Sequence, residues 1–210
     1  MMYFIYSDIS PALHGETDRK TVASMQHVEA YRLLADAYRF LYQKPLPALK
    51  RREGGKPYLA LRGAPHFSLS HEGTIVGVLF SDGEVGLDIN RTTRAASERA
   101  CRRFLSGMRE SLPLPPETVT FYVAAYREGA AYWPVPFSPA FSEGEDAATR
   151  FCRAEACMKL SGGGFADLPA LPEISERARV LTFRLPAPHE VYTVAVAAPE
   201  DGEESLRKEK

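Results

Sequence analysis

Cysteine is scarce in this chain, and so are tryptophan, histidine and any long apolar run. Each scarcity removes a class of protein. There are three cysteines, Cys101, Cys152 and Cys157, with no CxxC spacing. That odd set fits neither a disulfide framework nor a zinc site, and reads as buried thiols in a reducing compartment. No stretch approaches the about 20 apolar residues that span a bilayer. The opening Met1-Met2-Tyr3-Phe4-Ile5-Tyr6-Ser7-Asp8 has no basic leader and too short an apolar run for a signal peptide, so the expectation is a cytoplasmic protein away from membranes. Excess charge is absent too. The 26 Lys and Arg against 27 Asp and Glu leave a net −1, which gives no support for a nucleic-acid surface.

What remains is an ordinary globular composition, 45% hydrophobic over 210 residues, enough for one large domain or two small ones sharing an interface. A first strand is expected over 3–7. Val22, Met25, Val28, Tyr31, Leu34, Ala35, Tyr38 and Leu41 fall at helical spacing over 21–42, and Lys44-Pro45-Leu46-Pro47 stops that helix. Strands are expected over 67–69, 75–80 and 84–89, with turns at Glu72-Gly73 and Ser81-Asp82-Gly83. Further on come a helix over 95–108 carrying Arg94, Arg99, Arg102 and Arg103, and a weakly helical stretch over 117–132. The segment 133–139 reads as a proline-rich loop. Ser142-Glu143-Gly144-Glu145 has the form of a capping box, opening a helix to about Leu160 that Gly162-Gly163-Gly164 ends. A hairpin over 180–185 and 191–198 and a charged tail over 199–210 complete the chain. The order implies an α+β fold with its main boundary at Asp82-Gly83, giving halves at 1–82 and 83–198.

Two segments carry the chemistry. Val85-Gly86-Leu87-Asp88-Ile89-Asn90 puts an acid into an apolar strand, where a buried carboxylate must be paired or bound to a cation. Asp88 and Asn90, two apart, face the same side. Phe151-Cys152-Arg153-Ala154-Glu155-Ala156-Cys157-Met158-Lys159 places Glu155 and Lys159 one helical turn apart. Asp88 and Glu155 suit a hard divalent cation, with Lys159 placed for a phosphate. Equally open are an Asp capping a turn and a surface Glu–Lys pair. In His66-Phe67-Ser68-Leu69-Ser70-His71, Ser70 and His71 reach a strand end that can face a cleft, or His71 is a solvated turn residue. Gly55-Lys56-Pro57 offers a lysine held by the proline that follows it, or one that is merely solvated. Arg32, mid-helix, reaches a phosphate or snorkels to water.

Taken in order, Gly55-Lys56-Pro57-Tyr58-Leu59, His66-Phe67-Ser68-Leu69-Ser70-His71, Val85-Gly86-Leu87-Asp88-Ile89 and Arg153-Ala154-Glu155-Ala156 with Lys159 resemble the 4′-phosphopantetheinyl transferase superfamily. The likeness is to its surfactin-synthetase-activating branch and runs from about Arg32 to Ala198. It implies two pseudo-symmetric α/β halves in a single chain, coenzyme A as donor, Mg²⁺ as cofactor and a serine of an apo acyl or peptidyl carrier protein as acceptor. It also implies a monomer. By the same resemblance Asp88 and Glu155, with Asn90, are the metal-binding positions. Lys159 lies by the diphosphate, and Arg32, Lys56, Pro57, Ser70 and His71 line the coenzyme A site. Glu155, Lys159 and His71 carry the catalysis, Glu155 activating the carrier serine directly or through water.

Two positions depart from the family pattern. Its second acid is Asn90 here, and the lysine of its Trp-x-x-Lys-Glu-Ala motif is Ala154, with Phe151 in the place of the tryptophan. Asn90 can still offer a neutral carbonyl, but one negative charge is lost. A homologue that binds coenzyme A or a carrier without transfer therefore stands as the alternative. The proline-rich 111–140 has no counterpart in the resemblance.

Overall fold

The computed structural model describes residues 1–92, 108–126, 132–134, 146–162, 165–188 and 190–200. The chain is α+β. Strand β1 (Met2–Asp8) is followed by a single helical turn, α1 (Ser10–Leu13), and the long helix α2 (Arg19–Tyr42). A short hairpin, β2 (Leu49–Arg51) and β3 (Pro57–Leu59), leads into β4 (His66–Glu72), β5 (Ile75–Ser81) and β6 (Gly86–Arg91). Then come β7 (Leu112–Pro113), β8 (Val119–Ala124), β9 (Tyr132–Pro134) and helix α3 (Ala147–Ser161). A short helix, α4 (Leu171–Glu176), precedes the hairpin of β10 (Ala178–Pro186) and β11 (Val191–Pro199).

Two main sheets result, ordered β4-β5-β1-β8-β9 and β6-β11-β10-β7. The strands on either side of Gly83 thus belong to different sheets, and the chain later returns to the first sheet with β8 and β9. Period-two alternation explains the layering. Along β1 and β5, Ile5, Val76, Val78 and Phe80 pack with Leu33, Leu34, Ala37 and Tyr38 of α2. The alternate Phe4, Ile75 and Leu79 pack with Leu87, Ile89, Phe183, Val194 and Val196 of the second sheet. The far face of the second sheet carries Ala178, Val180, Ala195 and Ala197 beneath α3. The order of layers is helix, sheet, sheet, helix. Each fully buried Leu, Ile or Phe contributes roughly 1.5–3 kcal/mol, so these shared faces hold the two sheets together.

Small residues set how closely α3 approaches. A Cβ on Gly86 would lie 1.9 Å from the Ala156 carbonyl oxygen, and Ala154 and Ala156 are buried against the sheet. Ala154 is fully buried there. Asp146 caps α3 by accepting from the Thr149 amide at 2.7 Å, and Gly162, at φ +78°, ends it in the left-handed region that glycine enters freely.

Several expected elements are longer than the periodicity indicated: 3–7 became Met2–Asp8, 67–69 became His66–Glu72, and the closing strands became Ala178–Pro186 and Val191–Pro199. The helical expectation over 117–132 is corrected. A 3₁₀ turn at Pro116–Thr118 is followed by β8, which runs parallel to β1 with Phe4 opposite Phe121. Val119, Phe121 and Tyr122 are β-formers, and the open edge of β1 outweighs a weak helical pattern. Tyr132–Pro134 is likewise a strand. The expected helix over 95–107, Cys101, the capping-box residues 142–145 and the tail from 201 lie outside the described residues.

Candidate functional site

The site forms where the outer strands of the two sheets run side by side. Strand β6 is hydrogen-bonded to β11 along one edge, which leaves the Leu87 and Ile89 amides on the other edge without a strand partner. Serines two apart on β4 meet them: Ser68 Oγ accepts from the Leu87 amide at 3.0 Å and Ser70 Oγ from the Ile89 amide at 3.1 Å. The spacing matches because both residue pairs follow the strand period. The Ser-Leu-Ser of β4 therefore joins the sheets where a backbone ladder would otherwise be needed.

Because Leu87 and Ile89 face the shared core, Asp88 and Asn90 face α3. Asp88 is 2% exposed, and Asn90 is buried too. Lys159 Nζ donates to Asp88 Oδ1 at 2.7 Å and to Ser70 Oγ at 3.1 Å, while Ser70 Oγ donates to Asp88 Oδ1 at 3.3 Å. Asn90 Nδ2 donates to Asp88 Oδ2. The Ser70 hydroxyl thus uses its single donor and both acceptor sites. Burial works against the Lys159 charge, but Asp88 and Glu155 outweigh it and hold the ammonium's pKa above the usual lysine value. Behind the strand, the buried Cys152 Sγ donates to the Asp88 and Thr193 carbonyls, and burial pushes its thiol pKa far up. That thiol packs and does not react.

These groups form the floor of a cleft of about 450 Å³, whose walls include His71, Glu155, Lys56 and Pro57. Burial, then the charge of Lys159 and His27, lowers the His71 pKa, so its imidazole is neutral near pH 7. The structure therefore brings Ser70, His71, Asp88, Asn90, Glu155, Lys159, Lys56 and Pro57 to one cleft. Arg32 is not among its walls. It pairs with Glu29 at 2.6 Å and Asp36 at 3.1 Å, one turn away on either side, and lies over the Tyr126 ring. Those helical neighbours engage the guanidinium from both sides.

Sequence reasoning missed His27, Tyr31 and Arg51, which also wall the cleft. His27 and Tyr31 stand one turn apart on α2 with rings 4.8 Å apart, and that spacing was the available signal. The same three residues continue into a shallower groove beside Lys50. Also missed was Glu84, which binds Arg52, Lys56 and His66 in one cluster.

The donor set tests the implied cation. Two carboxylates and an amide oxygen are hard ligands, and Mg²⁺ commonly takes only one or two carboxylates with water and phosphate. The buried Asp88 carboxylate already holds a cationic partner, the Lys159 ammonium, at the distance of a tight ion pair. Asp88, Asn90 and Glu155 line one cleft and carry hard donor atoms of the kind Mg²⁺ takes, at a lower charge than three acids would give. Among the described residues there is no group of three or more His, Cys, Asp and Glu able to hold a metal. Among the same residues no helix is long and apolar enough to cross a membrane. No known family model matches the chain, and no curated protein matches it.

Proposed function

We propose that this chain transfers the 4′-phosphopantetheine arm of coenzyme A to a serine of an apo acyl or peptidyl carrier protein, with Mg²⁺, in a fold built as two related halves. The observation that carries the reading is the meeting of Ser70, His71, Asp88, Glu155 and Lys159, from three separated segments, in a single cleft. Their order along the chain is that of the family it resembles.

The reaction asks little covalent chemistry of the protein. The carrier serine oxygen forms a bond to the β-phosphorus of coenzyme A, and the bond to the departing 3′,5′-ADP breaks. Glu155 receives the serine proton directly or through one water. Lys159 and the neutral His71 donate to the diphosphate and hold it in line, so that placement and charge stabilisation supply most of the acceleration. Asp88, Glu155 and Asn90 would hold Mg²⁺, which would supply neutralisation of the diphosphate charge.

The alternative of a binding protein without transfer rests on Asn90 and Ala154, the two departures from the family pattern. Incubation with coenzyme A, Mg²⁺ and a panel of apo carriers, followed by mass spectrometry of each carrier, decides between them. The expected result is one added phosphopantetheine. Coenzyme A binding by calorimetry with no mass gain on any carrier selects the alternative.

A further inference from the structure

Lys56 walls the cleft, yet its ammonium is engaged by the protein itself. An ammonium has three N–H donors. Those of Lys56 reach Glu84 Oε2 at 3.1 Å, the Val85 carbonyl at 2.9 Å and the Leu160 carbonyl at 3.4 Å. The side chain is 10% exposed. The other oxygen of Glu84 takes Arg52 at 2.5 Å and His66 at 3.0 Å, so the carboxylate is anchored to the first sheet and the β2–β3 hairpin. Leu160 lies in the last turn of α3, where carbonyls lack a helical partner and a cation complements the helix dipole. Immediately beyond, a Cβ on Gly162 would lie 3.6 Å from Lys56 Cδ and 3.7 Å from Arg52 Nη1. The Lys56–Arg52 pair therefore packs over the left-handed end of the helix.

Lys56 thus touches the chain just before β6 and just after Lys159. Those are the elements that supply both members of the Lys159–Asp88 pair. We propose that Lys56 is a positioning residue, a latch from the β2–β3 hairpin that sets the end of α3 against the start of β6, and that it is not a phosphate ligand. The kinetic arm of its test rests on the transfer reading; the structural arm does not.

The test compares Lys56→Met, which keeps the stem and removes the donors, and Glu84→Gln, which keeps the shape and removes the anchor charge. In both, amide exchange over 157–162, followed by mass spectrometry on the full chain, is expected to quicken by about tenfold or more. Coenzyme A affinity of Lys56→Met by calorimetry stays within about threefold of the parent, while kcat falls about tenfold or more because Lys159 and Asp88 lose register. Unchanged exchange over 157–162 in both variants overturns the latch. So does a coenzyme A affinity weakened by about tenfold or more with exchange unchanged in Lys56→Met, the signature of a lost phosphate contact. Should the parent protein bind no coenzyme A and modify no carrier, the transfer reading falls and the exchange measurement alone decides the latch. Should Lys56→Met not fold, Glu84→Gln decides it.

Discussion

Lys159 Nζ and Asp88 Oδ1 stand 2.7 Å apart, a pair separated by 71 positions in the chain that joins the last turns of α3 to the middle of β6. Asp88 is the buried member and Lys159 the one at the cleft, so the two respond differently to substitution.

Lys159→Met leaves the Asp88 carboxylate buried without its cation. Breaking a buried pair from one side costs about 3 kcal/mol or more. The expected outcome is a Tm lowered by roughly 6–12 °C for a chain of this size, read by calorimetry, together with lost carrier modification. Asp88→Asn at the same time removes the orphaned charge, so the double variant should recover part of the Tm and none of the activity.

Gly86→Ala tests the approach of α3 to β6. The new methyl meets the Ala156 carbonyl, which is backbone and cannot turn away. Overpacking of this kind costs about 1–3 kcal/mol, and the chain must shift α3 to accept it. Thermal unfolding should show the loss, and carrier modification should fall further than stability alone accounts for, because Glu155 and Lys159 ride on the displaced helix.

Glu155→Ala should abolish transfer and leave the unfolding curve close to the parent's, since Glu155 lies at the cleft wall and outside the buried core clusters. Unchanged turnover would remove Glu155 from the proton transfer.

Asn90→Asp restores the charge that the departure from the family pattern removes. Without metal, a second carboxylate beside Asp88 should lower Tm. With Mg²⁺ at millimolar concentration the variant should regain it, because a ligand that binds only the folded chain stabilises it by mass action. The parent's Tm should respond less to the same additions. Equal responses in the two proteins would show that residue 90 does not face the ion.

Glu84 and His71 both contribute to the acid side of the stability profile. Burial pushes the Glu84 carboxyl up, but the His66 hydrogen bond, the Lys56 charge and Arg52 outweigh it and hold it well below its usual 4.5. The unfolded chain therefore takes up the proton first. The stabilisation is full above about pH 4.5 and is lost as pH falls below that value. His71 is held below its usual 6.5, so the unfolded chain also protonates first there, and stability declines as pH falls from about 6.5 towards the lower folded value. Denaturant titrations from pH 7 down to well below pH 4 should show both slopes, with Glu84→Gln flattening the lower and His71→Gln the upper.

Local patterns made much of this legible. The period of Val22 to Leu41 marked α2. The acid in Val85-Gly86-Leu87-Asp88 marked an unusual strand, and the spacing of Glu155 and Lys159 marked one face of α3. Regular periodicity survives folding because each element buries one face. The pairing of Arg32 with Glu29 and Asp36 was not legible in advance, because a helix arginine's partners depend on which neighbours compete for it. The β8 segment was misread because its strand character comes from the open edge of β1, more than a hundred positions earlier.

By itself, the sequence determined the α+β class, the main elements and the residues able to carry charge into a cleft, because these follow from the side-chain period and the penalty for burying a bare carboxylate. Tertiary structure alone decided the rest. Packing two sheets face to face left two strand edges side by side. Ser68 and Ser70 then had to satisfy the amides of Leu87 and Ile89, which turned Asp88 towards Lys159. The same packing spent the Lys56 ammonium on carbonyls just before β6 and at the end of α3, a contact no local pattern announces because its partners come from two other parts of the chain.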